Sequence, residues 1–596
     1  MNVDFLLKES ISKAFDHLFN HKLDIDEIKL QPTRKEFTGS HTFVTFPFSR
    51  YSRKSPEETG EIIGTYLKDQ SKILKSYSVV KGFLNLEIND SSWLKVFDIN
   101  YIDTPWEVVN SGGQKIMIEY SSPNTNKPLH LGHLRNNFLG FSVSQILKAA
   151  GNTVKKVNLV NDRGIHICKS MVAYQKFGRN ETPESSGIKG DHLIGKYYVI
   201  FDVEYKKQIE KLIGEGFSRE DATQQAPLIL EAKDMLKKWE QKDQEIWDLW
   251  HKMNDWVYEG FNKTYMDIGV NFDKIYYESD TYLLGKKVVE EGLKKDIFYM
   301  EKDGSVWVNL TDDGLGEKLI LRSDGTSVYI TQDLGTADKK YEDFPFDRSI
   351  YVVGNEQDYH FEVLIKILKK LGRNYANGIF HLNYGMVDLP SGKMKSREGT
   401  VVDADDLVAE MIRTAQKQTE ELGKIEEFND EQAQQLYKIL ALGALKYFLL
   451  KIDPKKRILF KPEESIQFQG NTGPFIQYTH ARISAILRKA KELEISLNFS
   501  YVDYLWKLHE TEKELIIVLS DYVEKVKEAA NEFAPSVIAN YCYEVAKTYN
   551  RFYTEVSIFN EENIQRRNFR VALSSLTAQT IHHAMKLLGI DVPERM

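Results

Sequence analysis

The sequence has few cysteines and no long apolar run, and each absence excludes a class of protein. Two cysteines among 596 residues, Cys168 and Cys542, supply neither a disulfide framework nor a paired-cysteine zinc site. No run approaches the roughly 18 consecutive apolar residues of a membrane-spanning helix. Charged residues within the first 20 positions interrupt any signal-peptide apolar region. We therefore expect a cytoplasmic protein that does not enter a membrane.

A surplus of basic charge is also missing. The chain has 79 Lys and Arg against 87 Asp and Glu, a net charge of −8, which argues against coating nucleic acid by bulk attraction. Local basic patches on an acidic body are still allowed. With 42% hydrophobic and 28% charged residues, the composition is that of a globular protein. At about 150 residues per domain, the length suggests four domains, or three with one large.

Changes in pattern along the chain divide it into three parts. Residues 1–112 mix helical periodicity with strand patterns, one of them over residues 78–88, and the run Val109–Gly113 is a plausible boundary. Residues 113–452 contain buried strands alternating with helices. Nearly everything after Asp403 has helical periodicity, so residues 453–596 are predicted to form an all-α bundle, with one of its helices over residues 515–530. We predict an N-terminal α+β domain, an α/β domain and a C-terminal helical domain.

The middle part begins with a βαβ pattern. Residues 115–120 are a buried strand, a helix follows from about residue 133 to 150, and residues 154–160 form the next strand. A second unit spans residues 349–387, and the stretch from about 165 to 325 is interpreted as an insertion. The pattern predicts a doubly wound, Rossmann-type parallel sheet. Four tryptophans between residues 239 and 256 are interpreted as core.

The residues from Glu119 to Asn137 carry the strongest chemical signal. They lead from a buried strand into a helix N-terminus and place Lys127, His130 and His133 there, with no acidic side chain after Glu119. Free backbone N–H groups and the positive end of the helix dipole suit phosphate. Gly132 allows a nucleotide to approach the backbone. We interpret the segment as a nucleoside triphosphate site, the alternative being a turn with incidental histidines.

A second motif follows about 260 residues later. Lys393-Met-Lys-Ser-Arg-Glu-Gly399 comes after a strand and a turn; by itself it could be a surface loop. With His130-Leu-Gly-His133, in this order and around an α/β core, the chain resembles class I aminoacyl-tRNA synthetases. Flanking segments are similar to the arginyl members of that class: Glu119–Pro128, Arg322–Thr326, Tyr329–Leu334, Val353–Gln357 and Pro593–Met596. The resemblance covers essentially the whole chain.

The resemblance implies an arginine pocket. It contains Glu119, Ser121, Asn124, Tyr329, Asp333 and Gln357. Asp333 and Glu119 are expected to meet the guanidinium beside Tyr329, because a planar, permanently charged group is best bound by carboxylates. Asn124 and Gln357 are expected to hold the α-amino and carboxylate groups of the substrate. Without the resemblance, the acids could be solvated strand ends, and the amides could serve turns or caps.

The resemblance also implies ATP chemistry. The expected catalytic residues are Lys127, His130, His133 and Lys393, and the expected ATP contacts are Gly132, Gly354, His381, Met386, Val387, Lys393, Lys395 and Ser396. ATP would be a substrate and Mg²⁺ would sit on its phosphates, but no carboxylate cluster in the sequence identifies the ligands of the ion. The implied reaction forms arginyl-adenylate and pyrophosphate. The arginyl group then moves to the 2′-hydroxyl of the terminal adenosine of its tRNA.

Two departures from the family pattern concern the same site. Ser396 stands where the general motif has a second lysine, and Lys127 or Lys395 could supply the missing charge. The segment Asn161–His166 resembles the family's Asp-Trp-Gly-x-Gln, with Arg163 and His166 in place of Trp and Gln. The floor of the pocket is therefore expected to differ in detail.

The expected tRNA contacts are less specific. Phe83 and Asn85 resemble residues that read the tRNA elbow, by stacking on a base and bonding its edge. A core position is the alternative for Phe83. Tyr478 and Arg482 stand at the start of a segment similar to the family's anticodon-binding domain, where basic residues could also be a solvated face.

Other functions explain the sequence less well. Gly190–Lys196 imitates a P-loop, but Tyr197 replaces the required Ser or Thr and no buried strand precedes it. Other class I synthetases fit less well. A glutamyl enzyme would need basic residues, rather than Glu119 and Asp333, around its substrate. A cysteinyl enzyme would need a set of zinc-binding thiolates. A catalytically silent tRNA-binding paralogue would not need both motifs. We predict an arginine–tRNA ligase that acts as a monomer, with ATP, L-arginine and an arginine tRNA as partners.

Overall fold

The architecture was obtained as a computed structural model. It describes residues 3–34, 36–71, 73–103, 113–390, 402–421, 428–496 and 507–596. The expected ATP contacts Lys393, Lys395 and Ser396 lie outside the described residues, as does most of the expected boundary at Val109–Gly113.

The N-terminal part folds around a four-stranded antiparallel sheet of order β1-β2-β4-β3. Its elements are α1 Val3–Phe19, β1 Leu30–Pro32, β2 His41–Val44, α2 Ser49–Ser52, α3 Pro56–Gln70, β3 Leu74–Val80, β4 Phe83–Ile88 and α4 Asp90–Asp103. The sequence suggested one strand over residues 78–88, but a hairpin divides it. Lys81 and Gly82 both have positive φ, which is what a tight hairpin turn requires.

The middle part contains the long parallel sheet and its connections. Its elements are β5 Lys115–Glu119, α5 Leu131–Ala149, β6 Thr153–Val160, α6 Ile165–Phe177, α7 Pro183–Ser186, α8 Gly190–Gly214, α9 Arg219–Gln225, α10 Pro227–Glu240, α11 Gln244–Asp267, β7 Lys274–Tyr277, α12 Glu278–Thr281, α13 Leu284–Lys294, β8 Phe298–Met300, β9 Val306–Leu310, β10 Gly316–Leu321, α14 Tyr329–Asp343, β11 Arg348–Gly354, α15 Asp358–Lys370, β12 Ile379–Tyr384, β13 Val387–Asp388, α16 Ala404–Glu421, α17 Asp430–Leu450, β14 Ile458–Leu459 and α18 Pro462–Ser465.

The main sheet has the order β12-β11-β5-β6-β7, and all of its pairings are parallel. The chain first moves outward from β5 through β6 to β7 and then returns to the other side of β5 through β11 and β12. This reversal confirms the doubly wound fold class. It also creates a crevice between β5 and β11, where such sheets bind ligands at the carboxyl ends of their strands.

The stretch expected as an insertion is more complex than the sequence indicated. Helices α6 to α11 connect β6 to β7, and Trp239 and Trp250 are buried there, as expected for core residues. However, β7 is a strand of the main sheet. It was missed because Lys274–Tyr277 spans only 4 residues, too short to show a period. After it, β10, β9 and β8 form a separate three-stranded antiparallel sheet.

The C-terminal part is helical, as the periodicity predicted. Its helices are α19 Gly473–Glu492, α20 Glu510–Ser520, α21 Tyr522–Glu532, α22 Pro535–Glu555 and α23 Ile564–Leu587. The segment expected as one helix over residues 515–530 is two helices that meet at Asp521. Among the helices of the described residues, none has both the length and the apolar character needed to cross a membrane.

The helical part packs directly on α5, the helix that begins with the histidine motif. The Ser142 hydroxyl donates to the Leu587 carbonyl over 2.9 Å, and the buried Lys446 ammonium donates to the Gly589 carbonyl. Burial lowers the pKa of Lys446 to about 8. The end of α23 is therefore fixed against the framework that holds the candidate site.

Candidate active site at the carboxyl ends of the central strands

The turn after β5 is held in a strained conformation by two asparagines. Ser121 and Ser122 have φ of +78° and +45°, in the region that side chains other than glycine rarely adopt. The Asn136 side-chain oxygen accepts from the Ser121 N–H over 2.6 Å, and that of Asn158 accepts from the Ser122 N–H over 3.0 Å. The Ser121 hydroxyl is buried against the Tyr265 hydroxyl at 2.7 Å. This turn carries the chain from β5 towards the exposed Asn124.

His130 and His133 form a cap at the N-terminus of α5. Nδ1 of His130 accepts from the Gly132 N–H over 3.1 Å, and Nδ1 of His133 accepts from the His130 N–H over 3.2 Å. The two rings lie 3.9 Å apart between centroids. A side chain at Gly132 would come within 3.0–3.1 Å of the His130 ring, so glycine allows the ring to fold back over the helix end. The motif thus builds its own local geometry.

Burial at this helix end determines the protonation state of both imidazoles. Burial, with a smaller contribution from nearby Lys127, lowers the pKa of His130 to about 4. Burial also lowers the pKa of His133 well below its usual range. Both rings are therefore neutral near pH 7, and since Nδ1 accepts in each, the proton is on Nε2. The pair offers two neutral N–H donors at a helix N-terminus, which is suited to phosphate oxygens.

The segment just before α16 is locked to the histidine motif. The Leu131 N–H donates to the Val402 carbonyl, and the Ala404 N–H donates to the Leu129 carbonyl, both over 3.0 Å. Asp405, one residue further on, accepts from Lys189 over 2.6 Å. These contacts fix residues 402–405 relative to α5. The motif expected at residues 393–399 therefore leads into an anchored segment.

Arg135 is a buried guanidinium that ties α5 to the edge of the site. Its side chain donates to the carbonyls of Gly385 at 2.7 Å and of Pro454 and Lys456 at 2.8 Å, with a longer contact to the Met386 carbonyl at 3.3 Å. Burial lowers the pKa of Arg135 to about 10, which leaves it charged at neutral pH. Arg135 therefore positions the backbone on which the expected ATP contacts Met386 and Val387 lie.

The other expected ATP contacts lie on β11 and β12, Gly354 at the end of its strand and His381 inside its strand. Gly354 is the last residue of β11. The His381 Nε2 lies 3.1 Å from the Val353 carbonyl, and its Nδ1 lies 3.0 Å from an Asp358 carboxylate oxygen. Its ring stacks on Phe361 with 4.3 Å between centroids. Both His381 nitrogens are thus engaged, whereas Gly354 and Met386 lie where β11 and β12 end.

Three of the residues expected to bind arginine are accessible at the starts of two helices. Tyr329 opens α14 and is 80% exposed, Gln357 is exposed just before α15, and the Asp333 side chain is 37% exposed. The Asp333 carboxylate accepts from His360 Nε2 at 2.5 Å. An accessible carboxylate on a rigid helix is a suitable partner for a guanidinium.

Glu119 is placed differently. It is the last residue of β5, is almost fully buried, and forms an ion pair with Lys340 of α14. Lys340 is 2% exposed at its side chain and lies 4.6 Å from the centre of the Tyr351 ring. Burial opposes the charged ammonium, but the Glu119 carboxylate outweighs it and raises the pKa of Lys340 above its usual value. A direct contact between Glu119 and arginine stays a prediction, because Lys340 already neutralises this carboxylate.

Comparisons with known proteins agree with this geometry. A family model described as the catalytic domain of class I tRNA synthetases (R) matches residues 103–460, and one for a DALR anticodon binding domain matches residues 476–596. The chain is 58% identical to the arginine–tRNA ligase of Amoebophilus asiaticus and 52% identical to that of Parabacteroides distasonis, over the full length of each.

The chain belongs to the arginyl-tRNA synthetase family. Two solved structures support the fold. The Thermus thermophilus arginyl-tRNA synthetase matches with a TM-score of 0.76 at 22% identity, and the Plasmodium falciparum enzyme with 0.74 at 18%. Each match covers 100% of both chains.

In this arginyl-tRNA synthetase, the segment expected at the pocket floor places Arg163 against aromatic rings. Its guanidinium lies 4.0 Å from the centre of the Tyr282 ring and 5.2 Å from that of Trp239, and it pairs with Glu240 at 3.0 Å. It also lies 3.9 Å from Glu278, whose pKa is raised to about 7 by burial. The guanidinium thus lies against two aromatic rings at the position where the resemblance led us to expect a tryptophan. The segment Asn161–His166, in which we expected a difference from the family pattern, therefore contributes Arg163 to a compact cluster of aromatic and acidic side chains.

The two candidate elbow residues of this arginyl-tRNA synthetase have different environments. Asn85 is 2% exposed, and its side-chain oxygen accepts from the Thr42 hydroxyl over 2.7 Å. The expectation that Asn85 bonds a base edge is not supported, because this side chain is used inside the sheet. Phe83 is half-buried and packs edge to face on Phe46, which is 51% exposed, with 5.8 Å between ring centres. Phe83 stays the candidate for stacking on a base.

Replacing Phe83 by alanine should raise the KM for tRNA and leave the KM for arginine unchanged. Stacking of one base on an aromatic ring contributes about 1–3 kcal/mol, so we expect roughly a fivefold to hundredfold increase. Aminoacylation at limiting tRNA measures the effect. Phe37→Ala, at another exposed aromatic position of the same part of the chain, is the matched control. A wild-type KM for tRNA in the Phe83 variant would return this residue to a packing role.

In the C-terminal helical part of this arginyl-tRNA synthetase, Tyr478 and Arg482 line an open groove beside α19. The Arg482 guanidinium lies 4.9 Å from the centre of the Tyr478 ring and 5.2 Å from that of Tyr553. The groove also contains Lys489 and the C-terminal Met596, and its volume is about 620 Å³. An aromatic and basic groove of this kind suits an unstacked nucleotide. The expected role of Tyr478 and Arg482 in tRNA binding stays a prediction.

Two residues of the site were not predicted from the sequence. Lys340 follows another lysine on an amphipathic helix and looks like a surface residue. His360 lies one turn after Gln357 and has no motif spacing of its own. A signal that could have found Lys340 is its position seven residues after Asp333, which places both on the same face of α14.

Proposed function

We propose that the chain joins L-arginine to its tRNA in two steps at the crevice between β5 and β11. The observation that carries this proposal is the arrangement at the strand ends. Two neutral imidazole donors cap α5, and an accessible carboxylate, Asp333, stands on α14. The first arrangement suits phosphates and the second suits a guanidinium.

In the first step, a carboxylate oxygen of arginine attacks the α-phosphorus of ATP. The new C–O–P bond gives arginyl-adenylate, and the bond to the β-phosphate oxygen breaks to release pyrophosphate. In the second step, the 2′-hydroxyl oxygen of the terminal adenosine attacks the arginyl carbonyl and AMP leaves. No protein nucleophile is required, because positioning and charge stabilisation carry such reactions.

The histidines act as donors in this proposal. The N–H groups on Nε2 of His130 and His133 stabilise the charge that builds up on phosphate oxygens in the transition state. Their lowered pKa values keep them neutral across the ordinary working range of pH. Neither residue therefore needs to change its protonation state during the reaction. Lys127 adds positive charge near the phosphates, and Lys393, outside the described residues, is expected to do so as well.

Mg²⁺ is expected to arrive with ATP rather than at a site built by the protein. Among the described residues, one cluster has the geometry of a metal site: Asp191, His192 and Asp405. However, the Lys189 ammonium already lies 3.2 Å from an Asp191 oxygen and 2.6 Å from an Asp405 oxygen. The cluster therefore has its own cation and does not fit a resident metal ion. Carriage of Mg²⁺ on the triphosphate agrees with this arrangement.

The experiment that tests the proposed function is ATP–pyrophosphate exchange with each of the twenty amino acids, with and without total bacterial tRNA. Exchange that occurs with arginine and with no other amino acid supports the proposed function. Exchange with a different amino acid would refute the assignment of the pocket. No exchange from folded protein that still binds tRNA would instead support the catalytically silent alternative. We also propose that the protein is a monomer, which sedimentation at several concentrations tests.

Asp333→Asn should raise the arginine KM strongly. The change keeps the shape of the side chain but removes its charge, and a hydrogen bond to a charged group contributes about 1.5–3 kcal/mol. That corresponds to an increase in KM of roughly 10-fold to 150-fold at unchanged ATP KM. Initial rates at varied arginine measure it. Asp312→Asn, at an exposed turn, is the control, and an unchanged arginine KM in the Asp333 variant would contradict the pocket.

A further inference from the structure

The carboxylate assigned to the arginine guanidinium is already hydrogen-bonded to a histidine. His360 of α15 approaches Asp333 of α14 with 2.5 Å between Nε2 and Oδ2. The contact leaves Oδ1 of Asp333 without a hydrogen-bond partner among the described residues. Both side chains are partly accessible, at 26% and 37%. A ligand can therefore reach the carboxylate without displacing any part of the core.

The start of α15, which carries His360, is held in place by packing of the neighbouring residue. The next residue, Phe361, is buried between the Tyr351 ring at 5.1 Å and the His381 ring at 4.3 Å, measured between centroids. These contacts fix the start of α15 against β11 and β12. Gln357, expected to hold the substrate, lies one turn earlier in the chain. The histidine is thus part of the rigid wall of the proposed arginine pocket.

We propose that His360 is a positioning residue for arginine, which aims the Asp333 carboxylate when it is neutral and competes with the substrate guanidinium when it is protonated. The inference rests on the proposed function, because it takes arginine as the ligand of Asp333.

The two protonation states have opposite consequences. A neutral His360 donates one N–H to Oδ2 and leaves the full negative charge on the carboxylate, so the guanidinium meets an oriented anion. A protonated His360 forms an ion pair that cancels this charge, so arginine gains less on binding. The hydrogen bond to Asp333 raises the pKa of His360 above its usual value, against an opposing effect of burial. The protonated form therefore extends to higher pH than for an isolated histidine, whose pKa is about 6.5.

Other charged and titratable groups surround this pair. They are Lys340 on α14, Tyr351 on β11, His381 on β12, Asp358 and Glu356 beside α15, and Glu278 on α12. Burial lowers the pKa of His381, whereas that of His360 is raised. Glu278, with its pKa raised to about 7, is the other group that could titrate in the same range. A test must separate His360 from Glu278.

The test compares wild-type protein with His360→Gln and His360→Ala. Glutamine can donate an N–H from nearly the same place but cannot become charged, whereas alanine can do neither. The KM for arginine and kcat are measured in aminoacylation between about pH 6 and about pH 8, a window that brackets the ordinary histidine pKa. The KM for ATP serves as an internal control, His251→Gln as a control at an exposed histidine, and Glu278→Gln reports on the competing acid.

We expect the wild-type arginine KM to rise as pH falls, by up to about tenfold per pH unit below the His360 pKa. His360→Gln should keep the low KM of high pH throughout, and kcat should change little. His360→Ala should lose the pH dependence and show a KM about threefold to tenfold higher at all pH values, because the carboxylate is then no longer oriented by a hydrogen bond. Glu278→Gln should retain the wild-type pH dependence.

Three results would overturn the inference. They are a wild-type KM that does not change with pH, a pH dependence that persists in His360→Gln, and one that disappears in Glu278→Gln. If the variants do not fold, the inference is tested by calorimetry of arginine binding to wild-type protein near pH 6.5. Comparing two buffers of different ionisation enthalpy shows whether binding releases a proton. Proton release supports the inference, and its absence overturns it. Failure of the proposed function is distinguishable, because exchange would then not depend on arginine at all.

Discussion

Lys340→Met is expected to destabilise the protein by about 3–5 kcal/mol, because it leaves the Glu119 carboxylate buried without a partner. Methionine preserves most of the volume of the lysine side chain, so loss of packing contributes little. Urea unfolding, followed by far-ultraviolet circular dichroism, measures the effect.

Two variants make this prediction specific. Lys339→Met removes the neighbouring lysine, which is 40% exposed and pairs with Asp343 at 3.0 Å, so its expected cost is only about 0–1 kcal/mol. The double variant Glu119→Gln/Lys340→Met removes both charges and should recover much of the loss. If Lys340→Met were no less stable than Lys339→Met, Glu119 would not depend on Lys340 for its charge. The carboxylate would then be free for direct contact with arginine.

His133→Asn is expected to lower kcat by about 10²–10³, the scale for loss of one donor to a developing oxyanion. Asparagine can still accept the His130 N–H through its side-chain oxygen, because Oδ1 takes the place of Nδ1. It has no group at the position of Nε2. The substitution therefore preserves the helix cap and removes only the proposed phosphate donor. Single-turnover adenylate formation measures the effect on the chemical step.

His133→Ala is the matched variant, since it removes the cap and the donor together. We expect its kcat to fall by as much as that of His133→Asn, with an additional loss of stability of about 0.5–2 kcal/mol from the missing cap. The arginine KM should stay within about twofold in both. A His133→Asn protein with wild-type kcat would assign the histidine to capping alone.

The sequence predicted the elements of the nucleotide fold closely. Periodicity placed β5, α5 and β6 within about two residues, because a buried strand and a helix capped by its own motif are local features. The His130-Leu-Gly-His133 motif also specifies its capping geometry locally, since the hydrogen bonds that the two imidazoles accept join residues at most three apart. The class of the protein followed from these residues and is confirmed by its relatives.

Other predictions were wrong or incomplete because the structural element is short or because the side chain is buried. The strand β7 is too short to show a period in the sequence. The break between α20 and α21 is also too short to interrupt the helical pattern visibly. Asn85 lies on a strand whose exposed and buried faces the sequence did not distinguish, and its side chain faces Thr42. The roles of Lys393 and Lys395 stay predictions because both residues lie outside the described part of the chain.

The sequence by itself determined the fold class, the capped helix end that we propose binds phosphate, and the family, because each depends on residue types close together in the chain. Only the tertiary structure decided how the charges of the proposed arginine pocket are arranged. Lys340 lies 221 residues from Glu119, and His360 lies 27 residues from Asp333 on a different helix. Such pairs depend on which elements the sheet order brings together. Packing therefore determines which carboxylate keeps its charge available, and here it neutralises Glu119 and leaves Asp333 open to a ligand.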